Sequence, residues 1–247
     1  MNDGFVNEEQ LRNYINNNDW NTYNANIKEL LKFTFGNKLN IGLTFTAEKI
    51  GGQVKPDMAI THNGTKKYIS IKKGSGNSVH QEKISVFFPF IESLFDLNTL
   101  NNLKLFHYGD GTLDDSGKIR YSASECQTLY SSEIASLNKK FNEWGKLKIF
   151  LDRFLFVGNV SSTLIVDVIY HGNINSGIWA SRDELYKYFE NNSFSSSALH
   201  FGSLTYQVWG RNNDFKAVHP DRRYVMQVKW GGILNDLNKI KESRNYE

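Results

Sequence analysis

Residues 55 to 83 read Lys-Pro-Asp-Met-Ala-Ile-Thr-His-Asn-Gly-Thr-Lys-Lys-Tyr-Ile-Ser-Ile-Lys-Lys-Gly-Ser-Gly-Asn-Ser-Val-His-Gln-Glu-Lys, and turn chemistry, alternation and reactive side chains coincide in them. Asn63-Gly64 is the favoured pair for a two-residue type I′ turn. The runs on either side, 57–62 and 65–72, alternate apolar with polar, which predicts a β-hairpin. With a two-residue loop His62 faces Thr65, and counting outward sets Asp57 opposite Ser70, with Lys72 two residues further on the same face. Met58, Ile60, Ile69 and Ile71 take the other face, which is apolar and expected to be buried. Asp57, Ser70 and Lys72 then converge on the accessible side, with opposed Cβ atoms about 5 Å apart.

A carboxylate and an ammonium held together in this way suit phosphodiester hydrolysis. That reaction needs a divalent metal to neutralise phosphate charge and lower the pKa of the attacking water, and a cation to orient the water. Asp57 supplies a metal ligand and Lys72 the cation. Mg²⁺ takes hard oxygens in an octahedron and keeps several waters, so one or two carboxylates, the main-chain carbonyl of Ile71 and a substrate phosphate suffice.

Pro56-Asp57 followed by Ser70-Ile71-Lys72 resembles the signature of the PD-(D/E)XK nuclease superfamily, Pro-Asp on one strand and acid-any-Lys on the next. Ser70 stands where that family usually carries Asp or Glu. Two residues are candidates for the second acid. Glu8, in Asp3-Gly4-Phe5-Val6-Asn7-Glu8, resembles the family's Gly-x-x-x-Glu element and is the preferred one. Glu82 is the alternative, on the pattern of restriction endonucleases with Ser-x-Lys followed by a Glu on the next helix. More closely, the chain is similar to type II restriction endonucleases of the MspI-like group, from its first helix to Phe201-Gly202-Ser203-Leu204-Thr205-Tyr206-Gln207. The resemblance implies Mg²⁺-dependent cleavage of double-stranded DNA at a short palindrome, by a monomer or by a homodimer on DNA. It leaves a repair or junction-resolving nuclease, or a catalytically inactive DNA-binding relative, as alternatives.

The rest of the chain bounds this reading. Its 247 residues are ample for a sizeable core. We read it as one domain, with a catalytic core over about 1–100 and a helical and C-terminal recognition region over about 101–247. A net charge of +3 is too weak to argue for nucleic acid by itself, so a DNA footprint must be local. Cys126 is the only cysteine, which excludes an intrachain disulfide and suits a reducing cytoplasm. No apolar run is long enough for a membrane span. No Walker or dinucleotide fingerprint is present, so no nucleotide cofactor is expected.

In chain order the patterns predict helices over 7–18, with Glu8 in the first turn, and over 26–34, then a strand over 39–47. After Lys72 a polar loop, Lys73-Gly74-Ser75-Gly76-Asn77-Ser78, leads into a helix that Ser78 and Gln81 open as a capping box. Its glycines permit close approach to a phosphate. Lys73, Ser75, Asn77, Ser78, His80 and Gln81 are the expected DNA contacts there. Pro89 should kink or end this helix. Residues 101–121 read as a surface loop, 132–144 and 146–157 as scaffold helices, and 162–170 as a central strand. Ser181 and Glu184 form a capping box for a helix through Phe189. Two last strands, 202–209 and 224–230, flank a loop whose Arg211, Arg222 and Arg223 are further candidates for phosphate or guanine. The expected architecture is α/β, a restriction-endonuclease-like core with a mixed central sheet flanked by helices, and C-terminal strands helping to enclose DNA.

Overall fold

The structure is a computed structural model that describes residues 3–75, 77–160, 163–211 and 219–244. In chain order its elements begin with α1 (Asp3–Asn16), α2 (Ala25–Phe35), β1 (Thr46–Lys49), β2 (Met58–His62), β3 (Thr65–Lys72), β4 (Asn77–Lys83), α3 (Ile84–Leu94), α4 (Leu97–Tyr108) and α5 (Ala123–Leu129). They continue as α6 (Ser131–Phe141), α7 (Trp144–Leu151), β5 (Val168–Gly172), β6 (Gly177–Ser181), α8 (Arg182–Asn191), β7 (His200–Phe201), β8 (Leu204–Val208), β9 (Val225–Trp230) and α9 (Ile233–Ser243). They group into two compact units, Met1–Asn77 with Asp152–Asn192 and Gly232–Glu247, and Ser78–Leu151 with Ser193–Gly231.

The first unit holds a five-stranded sheet in the order β1-β2-β3-β5-β6. Its middle strand, β3, pairs antiparallel with β2 and parallel with β5, so the sheet is mixed, as the sequence predicts. The hairpin turn has Asn63 and Gly64 at φ 47° and 69°, the doubly positive pair that type I′ requires. The register runs from His62↔Thr65 to Met58↔Ile69, as counted from the turn. Leu11 and Ile15 of α1, with Ile27, Leu30 and Leu31 of α2, form one buried cluster with Met58, Ile60, Ile69 and Ile71. Each such side chain contributes roughly 1.5–3 kcal/mol on leaving water. At the β6 edge of the sheet, α8 and α9 contact β6. The capping box of α8 forms with both arms, Ser181 and Glu184 each bonding the other's backbone N–H.

The second unit carries a four-stranded sheet, β4-β9-β8-β7, with β8 and β9 antiparallel. Its core is aromatic: Phe141 stacks on Phe201 at 5.2 Å, Phe150 lies 4.5 Å from the same ring, and Trp230, Tyr206 and Phe87 are fully buried. Among the described residues no helix is long and apolar enough to cross a membrane.

Several local expectations are corrected. The first helix starts at Asp3, which moves Glu8 out of the first turn. Its buried face begins with a polar residue, Asn7, in line with Leu11 and Ile15, and an apolar pattern overlooks it. The strand expected over 39–47 shrinks to β1, because Asn40 folds its side chain onto the Gly42 N–H and its own N–H goes to His62. Asn77–Lys83 is strand β4 and not the start of a helix, so Ser78 and Gln81 form no capping box. Its inward positions include His80 and Glu82, so alternation is present but polar residues carry it. The helix that follows runs through Pro89 to Leu94, with Ile84, Phe87, Phe88 and Ile91 buried on both sides of the proline. Residues 101–108 belong to α4, which is capped by Asp96 and stopped by Gly109 in the left-handed region. The predicted helix 146–157 ends as α7 followed by a π-helical turn, Asp152–Phe156. The strand predicted over 162–170 is realised as β5, which begins only at Val168, the described residues 163–167 lying before the ladder; Ser162 lies outside the described residues.

Candidate active site

Asp57 stands one residue before β2, where the hairpin ladder runs out. Its N–H still donates to Ile69 O at 2.9 Å and its carbonyl accepts from Ile50 N at 3.2 Å, so its backbone is fixed from both sides. Beyond this point the ladder has ended, and the next inward amide on β3 finds its acceptor in the side chain: Ile71 N donates to Asp57 Oδ2 at 2.6 Å. Ser70 Oγ donates to the same oxygen at 3.1 Å and Lys72 Nζ at 3.3 Å. Lys72 Nζ also donates to the Ile71 carbonyl at 3.0 Å. The Asp57, Ser70 and Lys72 side chains thus meet as the register predicts. Their face is less open than expected: the Lys72 and Asp57 side chains are 19% and 25% exposed, and Ser70 is buried.

Glu8 comes to this cluster on α1. Burial raises its pKa above the ordinary carboxylate range, and the negative charge of Asp57 raises it further, while Lys72, Lys49 and Arg12 pull it down. The helix that carries it is tied to the sheet at two points. Asn7, buried, donates to Gly172 O at 2.9 Å at the end of β5. Asn16 bonds both backbone groups of Ala47 on β1, donating to the carbonyl at 2.8 Å and accepting from the amide at 2.7 Å.

This donor set can be tested against a divalent cation. The donors from Ser70, Ile71 and Lys72 all go to Asp57 Oδ2. Two carboxylates raise each other's energy when both are charged, and a dication placed between them removes that cost. Glu8, Asp57 and the Ile71 carbonyl all offer hard oxygens, with no histidine or cysteine among them, which suits Mg²⁺ better than zinc. Among the described residues no group of three or more His, Cys, Asp or Glu stands ready as a metal cage, so the set is carboxylate-poor. It fits a metal that keeps several waters.

The loop candidates divide. Lys73 and Ser75 are exposed, but Asn77 is buried and its side chain is taken up by a bond to Gly74 O at 2.9 Å. Gly76 lies outside the described residues. In the second unit Gln81 is exposed and Ser78 half-buried. His80 is buried with Nε2 3.0 Å from Glu82 Oε2, and Glu82 is on strand β4 where a helix was expected. Of the three arginines, Arg223 is buried and ion-paired with Asp115. Arg211 donates to Cys126 Sγ at 3.1 Å and covers the Phe106 ring at 4.7 Å. Arg222 lies 4.6 Å above the ring of Trp209, itself 42% exposed.

Sequence reasoning missed Asn7, Asn16 and His171. Asn7 stands on the buried face of α1, where a polar residue on the stripe was the available sign, whereas Asn16 is exposed at the end of the helix and carries no such sign. His171 pairs in register with Lys72 across the parallel β3·β5 ladder, and its Nε2 lies 2.9 Å from Gly74 O. No sequence feature reveals a parallel register between distant strands.

No family model matches the chain, and no curated protein matches it. Among solved structures it is similar to restriction endonuclease MspI, a crystal structure in complex with its cognate DNA. The TM-score is 0.44 at 13% identity, covering 82% of this chain and 76% of that one. A likeness of that size settles neither family nor activity, and the function is argued from the site.

Proposed function

We propose that this protein is a Mg²⁺-dependent nuclease that hydrolyses phosphodiesters of double-stranded DNA, and specifically a type II restriction endonuclease acting at a short palindrome. The observation that carries the reading is Asp57 Oδ2 gathering Ser70, the Ile71 amide and Lys72, with Glu8 close enough to feel the Asp57 charge. Asp57 and Glu8 would hold the metal with the Ile71 carbonyl. Bound there, Mg²⁺ supplies charge neutralisation at the phosphate and a more acidic water. Lys72 places a fixed positive charge beside the reacting phosphate and orients the attacking water. Ser70 keeps Asp57 Oδ2 in place and shares its negative charge through a hydrogen bond. The resemblance of Pro56-Asp57 and Ser70-Ile71-Lys72 to the PD-(D/E)XK pattern supports duplex DNA as the substrate.

The test is incubation with long unmethylated DNA and Mg²⁺, then sequencing of fragment ends. Ends sharing one short palindrome establish restriction and give the site. Cleavage confined to branched or mismatched DNA would replace that reading with a repair nuclease. Binding without cleavage would favour an inactive DNA-binding relative, the reading that Ser70 in place of an acid supports.

A further inference from the structure

The loop after Lys72 is fixed through one atom. The Gly74 carbonyl accepts from His171 Nε2 at 2.9 Å and from Asn77 Nδ2 at 2.9 Å, and Gly74 itself is at φ 75°, a conformation glycine adopts without strain. Two donors on one carbonyl define the plane of the Gly74–Ser75 peptide. In a trans peptide the N–H that follows points opposite to the carbonyl. With the carbonyl held by these two donors, the Ser75 N–H points away from them on an exposed turn three residues beyond Lys72, and among the described residues no backbone bond from it is formed. Lys73 is exposed on the same turn.

We propose that the Gly74–Ser75 peptide is a phosphate clamp, taking one backbone phosphate of the nucleic-acid strand held at Asp57 and Lys72. His171 and Asn77 are its positioning residues. This rests on the nuclease reading above. An amide on an exposed turn beside a lysine is a suitable cradle for a phosphate oxygen. His171 is suited to the strut because it stands on β5 in register with Lys72, so one strand sets both the reactive lysine and the clamp.

The experiment measures affinity of the full chain for a duplex containing its cleavage site, in Ca²⁺ in place of Mg²⁺, over a series of salt concentrations. His171→Ala with Asn77→Ala is expected to weaken binding about tenfold, and to flatten the slope of log K against log salt by about one contact as Ser75 and Lys73 leave their phosphate. In Mg²⁺ its KM should rise by a similar factor with kcat within about twofold, since such a contact binds ground and transition states alike. His171→Gln keeps an N–H donor and is expected to restore the wild-type slope. An unchanged slope and affinity in the double variant, or no rescue by glutamine in a variant as heat-stable as wild type, overturns the clamp and leaves the nuclease reading standing. A wild-type chain that binds no duplex at any salt overturns both.

Discussion

The Ile71 amide donates to Asp57 Oδ2 at 2.6 Å, so the carboxylate at the site also closes the sheet. Asp57→Asn keeps an acceptor for that amide and for Ser70 while removing the charge. It should fold with a Tm near wild type and lose cleavage by about 10³-fold, on the scale of deleting a principal electrostatic group. Asp57→Ala leaves the Ile71 N–H without an acceptor and should cost a further 1–3 kcal/mol of stability, approximately, in urea unfolding.

Lys72 and Ser70 both donate to that oxygen, but only Lys72 brings a charge. Lys72→Ala should abolish cleavage and leave duplex binding in Ca²⁺ intact. Ser70→Ala should be milder, with a drop of about tenfold in kcat corresponding to one hydrogen bond to a charged group. Equal and complete loss in both would show that Ser70 has a direct part in the chemistry.

Asn16 mimics a neighbouring strand for Ala47, satisfying its carbonyl and its amide at the edge of the sheet. Asn16→Ala removes two hydrogen bonds and should destabilise the protein by about 2 kcal/mol. Asn16→Asp retains only the acceptor and should fall between. Amide exchange at β1 should accelerate in both.

His107 is fully buried in the second unit, its Nδ1 2.6 Å from Tyr206 OH and its Nε2 2.8 Å from Arg223 O. Nε2 must carry the proton that goes to the carbonyl, so Nδ1 accepts from the tyrosine and the ring is neutral. Burial lowers its pKa from 6.5 to about 3, with the Arg211 charge adding to the shift. An unfolded histidine gains a proton below 6.5 that the folded one refuses. The stability due to this site is therefore complete above that pH and falls as the solution is acidified toward 3. The slope is at most about 1.4 kcal/mol per pH unit. Urea unfolding at pH 7 and pH 5 should show this loss, and His107→Gln should show a shallower one.

The hairpin was legible because Asn63-Gly64 dictates both a turn and a register, and a register names partners. From it alone Asp57, Ser70 and Lys72 could be placed together. Burial of Ser70 was not legible, since a short polar residue on the site face reads as exposed. Strand β4 escaped because its inward positions are filled by His80 and Glu82, and α1 was cut short because Asn7 heads its buried stripe. Residues 123–129 went unread as α5 although Ser122 and Glu125 form a complete capping box. The ladder between Ser70 and Ile169 depends on tertiary packing, and nothing local encodes it.

That ladder also sets an order of events. The central strand β3 has its hairpin partner at once, but its parallel neighbour β5 follows the whole of Ser78–Leu151, and α9 closes on β6 only near the end of the chain. Bringing such distant segments together is slow, because a long loop must close before its contacts form. During synthesis Asp57 and Lys72 leave the ribosome before the strand that braces them and receives Asn7. The hairpin sets Asp57, Ser70 and Lys72 together, but the bracing of β3 and of the helix that carries Glu8 waits for β5, and chains halted before Gly172 are expected to be inert.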